Sequence, residues 1–162
     1  MRIVLANAQT DFDQARCLFR EYVRSLDVDL GFQGIEGEFA TLPGKYAAPS
    51  GALFLALDAT GIAIGTVAVR PFDKPGACEM KRLYVRPQGR GSGAGAALAK
   101  AAIGFAEAAG YTEMLLDSLP SMAAAIRLYE ALGFRDTEPY WNNTLPGVRY
   151  FSLQLAARAP RA

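Results

Sequence analysis

Apolar positions along this chain fall into blocks whose spacing switches between the period of a strand and that of a helix. Residues 2–6 (RIVLA) form a short apolar run that reads as a strand. Thr10 then precedes DFDQARCLFREYVRSL, where Phe12, Ala15, Leu18, Phe19, Tyr22, Val23 and Leu26 return at helical intervals, predicting a helix with one buried face. Thr10 with Asp13 three residues on resembles a capping box, Asp standing in for the usual Glu. From residue 27 to 51 the period is lost. Early glycines interleaved with Phe32, Ile35 and Phe39 predict a short irregular helix over 33–41 and then a loop, a segment suited to the wall of a site.

The next blocks are strands. Residues 52–57 (ALFLAL) and 62–70 (IAIGTVAVR) flank Asp58-Ala59-Thr60-Gly61 and predict a hairpin, with Gly65 marking a bulge or a close backbone approach. A third strand covers 78–85, and an alanine-rich helix over 92–109 ends at Gly110. A strand over 111–117 follows. Ser121 is expected to cap a helix over 122–132 that Gly133 closes, and strands over 134–137 and 148–155 are joined by the loop EPYWNNTLPG. Three consecutive strands form an antiparallel meander, and the strand–helix–strand unit behind them reads as a right-handed crossover with parallel strands. The expected class is therefore α/β in the α+β sense: a mixed, mostly antiparallel sheet of about six to seven strands with flanking helices.

Composition narrows the function. With 162 residues, 51% of them hydrophobic, the chain is expected to form a single domain over 1–156, with a short disordered tail over 157–162. Seventeen basic and sixteen acidic residues are mixed along the chain, which argues against a nucleic-acid surface. No run approaches the ~20 apolar residues of a membrane span or forms a signal peptide, so a cytoplasmic location without membrane partners is expected. Cys17 and Cys78 read as buried small apolar residues. The absence of histidine removes Ser-His-Asp and Cys-His mechanisms and imidazole metal ligands, so no metal is expected and acid–base chemistry falls to carboxylates, Tyr, Lys or Cys.

The candidate chemistry centres on residues 79–100. A strand breaks at Arg86-Pro87, passes through Gly89, Gly91, Gly93 and Gly95, and continues as a helix. Glycines let a ligand approach the backbone, and the free amides of a helix N-terminus favour an anion, so this stretch reads as an anion cradle for a cofactor. Gly89-x-Gly91-x-x-Ala94 also satisfies a dinucleotide fingerprint, with Asp117 at the end of the next strand, but a meander precedes it where that fold would start. A P-loop is excluded because Gly-Lys-Ser/Thr is missing.

Gln88-Gly89-Arg90-Gly91-Ser92-Gly93, the preceding EMKRLYVRP and the later LYEALGF resemble, in order and spacing, the acyl-CoA signature, fourth strand and following helix of the GNAT superfamily of N-acetyltransferases. The resemblance covers residues 52–155. It implies acetyl transfer from acetyl-CoA to a primary amine, in a gap where the fourth strand splays from the fifth. It implies Glu79 as general base, directly or through water, and Tyr129 as the acid for the departing thiolate. Leu83, Tyr84 and Val85 would meet the pantetheine arm and thioester, and Gln88, Gly89, Arg90, Gly91, Ser92, Gly93, Ala94 and Gly95 the pyrophosphate. Strict alternation would put Glu79, Lys81, Leu83 and Val85 on one face and Met80, Arg82, Tyr84 and Arg86 on the other. A structural role for Glu79, as partner of Arg70 or Arg82, stays open. Met122 stands where many members carry a cofactor-contacting Asn, leaving Ser118 or Ser121 as substitutes.

The acceptor side implied by the resemblance contains Tyr22, Arg24, Phe32, Lys45, Tyr140, Trp141 and Asn142. The acceptor is expected to be a small or amino-acid-like amine, with a protein amine and a homodimer left open. A non-catalytic acyl-CoA-binding module and a dinucleotide-binding oxidoreductase are the alternatives from other classes.

Overall fold

In a computed structural model of the chain, residues 1–31 and 34–156 are described; Phe32, Gln33 and the 157–162 tail lie outside the described residues. Seven strands form one sheet in the order β1-β2-β3-β4-β5-β7-β6, where β1 is Arg2–Leu5, β2 Ala52–Leu57, β3 Ala63–Pro71, β4 Ala77–Val85, β5 Glu113–Ser118, β6 Arg135–Asp136 and β7 Arg149–Gln154. Every neighbouring pair is antiparallel except β4 and β5. Helices α1 (Gln9–Leu26) and α2 (Ile35–Ala40) lie on one face, and α3 (Ala94–Ala108) and α4 (Ala123–Ala131) on the other. The expected meander and parallel crossover are therefore both present.

Each face closes its own core. On the α3 side, Leu98, Ala99, Ala102 and Ala106 settle on Val67, Val69, Cys78 and Met114. Small side chains let this helix sit close to the sheet. Gly65 marks how close: a Cβ there would stand 3.0 Å from both Leu98 Cδ1 and the Tyr84 carbonyl. On the α1 side, Phe19 packs against Phe39 and Tyr46 at centroid distances of 5.5 and 6.2 Å. Among the described residues no helix is long and apolar enough to cross a membrane.

Four expectations are corrected. Helix α1 starts at Gln9, and its N-terminus is served by Asp11, whose Oδ2 accepts the amides of Asn7 and Ala8 at 3.0 Å; Thr10 and Asp13 are already inside the helix. Ser121 does not cap α4, because a turn from the Met122 amide to the Leu119 carbonyl makes Met122 the N-cap. Cys17 is exposed, at the edge of the helix face that Ala15, Leu18 and Phe19 bury, while Cys78 is buried as expected.

The fourth correction positions the site. Strand β4 does not alternate strictly: Thr66 pairs with Tyr84 but Ala68 pairs with Lys81, so β4 carries an extra residue, and Arg82 takes a left-handed φ of 60°. After this bulge the strand's faces exchange. Cys78, Met80, Leu83 and Val85 face α3, whereas Lys81, Arg82 and Tyr84 face α1 and α2. Beside the bulge, β4 and β5 pair only from Ala77 to Glu79, after which they diverge. The expected splay is there.

Candidate active site

The loop between β4 and α3 is a short 3-10 turn over Pro87–Gly89 followed by two glycines with left-handed backbone, Gly91 at φ 77° and Gly93 at φ 83°. No atom lies within 4 Å of where their Cβ would be, so glycine is required there by conformation and leaves an open concavity. Gly93 is the N-cap of α3, and its carbonyl takes the Ala97 amide at 3.0 Å. The amides of the first turn, Ala94 to Ala96, have no helical carbonyl before them and face outward.

This loop forms one end of a groove of about 820 Å³ whose other walls are the open edge of β4, the end of α1 and the start of α4. Every residue expected to hold the cofactor lines it except Gln88 and Ser92. Ser92 instead donates to the Gly89 carbonyl at 2.6 Å and so shapes the loop. Arg90 donates through Nε to the Val85 carbonyl at 3.1 Å, tying the loop back to the strand. Ser121 and Met122 line the groove where an Asn was missed, and the Tyr22 hydroxyl lies 4.0 Å from Met122 Sδ. Ser118 lies deeper, in the splay.

Tyr22, Leu26, Leu83 and Met122 belong both to this groove and to a small cavity of about 50 Å³ in the gap between β4 and β5. Tyr129, Lys81, Asp117 and Asn143 are among its other lining residues. The Tyr129 ring is fixed by Phe134 and Phe151 at 5.8 and 6.2 Å, and burial pushes its hydroxyl well above the ordinary tyrosine range. It keeps its proton at any working pH. Burial likewise lifts Tyr22 to about 12.

A model of the Acetyltransferase (GNAT) family matches residues 18–134. The chain belongs to the GNAT acetyltransferase family. An N-acetyltransferase of Schizosaccharomyces pombe is 44% identical over 146 residues, 90% of each chain. Human N-acetylaspartate synthetase is 31% identical over 121 residues, 75% of this chain and 39% of its own. Among solved structures, a GNAT-family acetyltransferase from Staphylococcus aureus superposes with a TM-score of 0.78 at 16% identity, covering 96% of this chain and 99% of that one. A GNAT superfamily phosphinothricin acetyltransferase from Sinorhizobium meliloti in complex with acetyl-CoA gives 0.70 at 21% identity, over 96% and 89%. At these identities the structural likeness is one of fold. The protein is thus an acetyl-CoA-dependent N-acetyltransferase at the level of its family.

On the far side of the splay from the cofactor groove, this acetyltransferase carries a network of which the sequence points only to parts, the Glu79–Arg70 pair among them. Glu79 is 1% exposed. Its Oε1 accepts Arg70 Nε and Nη2 at 2.8 and 2.7 Å, its Oε2 accepts the Tyr140 hydroxyl at 2.7 Å, and Lys81 Nζ stands 3.8 Å away. Both oxygens are occupied by protein donors, so of the two partners weighed for Glu79, Arg70 is the one found. Arg82 turns instead to Glu38, with Nε and Nη2 at 3.1 and 2.9 Å from Oε2. Lys81 lies beneath Trp141, 5.7 Å from the ring centroid, and burial pulls its ammonium below the ordinary lysine value against the opposing pull of Glu79. Asp117 Oδ2 accepts Trp141 Nε1 at 2.9 Å and Asn143 Nδ2 at 3.0 Å, fixing the loop between β6 and β7 over the gap.

Lys81 and Arg82 also line a second cavity, of about 480 Å³, bounded by α2, Lys45, Arg70 and Trp141. Of the residues expected on the acceptor side, Lys45 and Trp141 line this cavity, Tyr22 lines the splay, and Tyr140 is engaged by Glu79. Arg24 and Asn142 are exposed and line none of these cavities, the neighbouring Asn143 taking the inward position. Sequence reasoning passed over Arg70, Lys81 and Asn143 as site residues and considered Asp117 only for a dinucleotide site. Their common location depends on contacts between segments up to about 70 residues apart, and only the acid at the end of β5 carried a local hint.

Proposed function

We propose that this acetyltransferase moves the acetyl group of acetyl-CoA to the primary amine of a small, amino-acid-like acceptor, with the two substrates meeting in the splay between β4 and β5. The observation that carries the reading is the continuity of the cavities: residues of the cofactor groove also line the splay, and Lys81 and Arg82 join the splay to the second cavity. Human N-acetylaspartate synthetase, named for an N-acetylated amino acid, supports an acceptor of this size.

The chain's residues divide the work. Acetyl-CoA, when bound, supplies the thioester acyl group and a thiolate to leave. The loop from Gly89 to Gly95 takes the pyrophosphate on its amides, and Leu83, Tyr84 and Val85 offer an open strand edge to the pantetheine arm. Lys81, depressed by burial, takes the proton of the acceptor amine as the new C–N bond forms. Glu79 acts through Lys81: its negative charge steadies the ammonium that results, and it holds Arg70 and Tyr140 in place. Tyr129 donates its hydroxyl proton toward the leaving sulfur as the C–S bond breaks.

Release of free CoA thiol with a panel of small amines, for the wild type, Lys81→Met and Tyr129→Phe, tests this. Each variant should lose on the order of 10²-fold in kcat, the usual share of a general base or acid. Wild-type rates in Lys81→Met would remove lysine from the mechanism, and failure of acetyl-CoA to raise the melting temperature would remove the whole reading.

A further inference from the structure

The second cavity is cationic in a way that transfer chemistry does not require. Its wall carries Lys45, Arg70 and Arg82 as well as Lys81, while the carboxylates in contact with these groups are Glu38, which pairs with Arg82, and Glu79, which pairs with Arg70. Arg70 commits Nε and Nη2 to Glu79, and among the described residues its Nη1 has no acceptor. Lys45 is exposed at the rim and, among the described residues, makes neither a hydrogen bond nor an ion pair. Two donors without a protein partner thus stand on one cavity wall, one of them on a guanidinium whose orientation is fixed by a buried carboxylate.

The order of the cavities gives this pair a direction. Lys81 is shared by the splay and the second cavity, whereas Lys45 and Arg70 are shared by the second cavity and an adjoining one of about 500 Å³ that opens past Phe72 and Asp73. An acceptor lying in the second cavity with its amine at Lys81 therefore has its other end between Arg70 and Lys45. A planar guanidinium with free donors beside an ammonium suits a carboxylate.

We propose that Arg70 Nη1 and Lys45 Nζ bind a carboxylate of the acceptor, so that the enzyme's substrates are carboxylate-bearing amines, free amino acids among them, in preference to amines without an acid group. The inference rests on the acceptor reading given above and assigns its recognition group.

The test pairs each acid with its amide, glutamate with glutamine and glycine with glycinamide, and measures kcat/KM by thiol release in the wild type and Lys45→Glu. In at least one pair the acid should be favoured by about tenfold or more, mainly through KM, and Lys45→Glu should reduce that ratio by a similar factor. An amide used as well as its acid in both pairs overturns the proposal, as does a ratio unchanged in Lys45→Glu. If no amine is acetylated although acetyl-CoA stabilises the protein, the transfer reading fails and the site is judged by binding alone. Glutarate, against chloride at equal ionic strength, should then raise the melting temperature of the wild type and not of Lys45→Glu, and the lack of that shift overturns the anion site.

Discussion

Replacing Glu79 by Gln probes the buried network with almost no change of shape. The wild-type carboxylate, 1% exposed, carries two bonds from Arg70, one from Tyr140 and the field of Lys81. An amide keeps one acceptor oxygen but presents an NH₂ where Arg70 or Tyr140 now donates, and it leaves the Arg70 guanidinium, and Lys81 whenever it is protonated, without a counter-charge. Breaking a buried pair costs about 3–5 kcal/mol. Because the Arg70 side chain is 24% exposed and regains some hydration, the lower end applies, about 3 kcal/mol. For a chain of this size that is a fall in melting temperature of about 6–12 °C. The kinetic effect is separate. Glu79 raises the Lys81 pKa, so without its charge Lys81 loses its proton at lower pH and becomes a weaker base. Below the melting transition, the ascending limb of kcat/KM against pH should move to lower pH while the plateau falls. A melting temperature within 2 °C of wild type would show that the carboxylate does not hold its partners, and a limb that stays in place would refute its action through Lys81.

Three further outcomes are expected. Gly93→Ala puts a Cβ at φ 83°, at a cost of about 1–2 kcal/mol without any steric clash, and should weaken acetyl-CoA binding measured by calorimetry while altering kcat less. Thr66 carries a buried hydroxyl that finds no partner among the described residues, so Thr66→Val should leave the melting temperature unchanged or raise it, by up to about 1 kcal/mol of stability in denaturant titration. The Arg86 guanidinium holds the Glu21 carboxyl below its ordinary value of 4.5; its contribution to stability is complete above that value and is lost as pH falls through the lowered folded one. Arg86→Met should therefore flatten the loss of melting temperature below pH 4.5, modestly, because the pair is partly solvated.

What the sequence made legible was local. The hairpin at 58–61 shows itself because Asp58 Oδ1 collects the Thr60 and Ile62 amides at 2.8 and 3.0 Å, a turn chemistry written in four adjacent residues. The glycine loop and the helix closed by Gly133 are visible for the same reason, since left-handed backbone calls for glycine. Arg82 breaks that rule. Nothing about an arginine announces a φ of 60°, so alternation was carried straight through the bulge and the inward sides of Leu83 and Tyr84 were exchanged. Of the acceptor side only Lys45 and Trp141 were legible, through the family resemblance; Glu38, Arg70 and Lys81 join them by tertiary packing, and each alone looks like an ordinary surface residue.

The extra residue in β4 also determines which genetic changes the two-sided site can absorb. A substitution at Arg82 alters a charge and a backbone preference but keeps the count of residues, and so keeps Leu83 and Val85 toward α3 and Tyr84 toward α1. Deletion of Arg82 restores the regular count and also leaves those faces unchanged, because Lys81, Leu83, Tyr84 and Val85 then simply alternate; what is lost is the bend and the guanidinium that pairs with Glu38. An inserted residue is different: it must widen the bulge or reverse the parity of everything between it and the glycine loop, driving Tyr84 into the alanine-lined face and turning Val85 out of it. At this position the strand can lose a codon more readily than gain one.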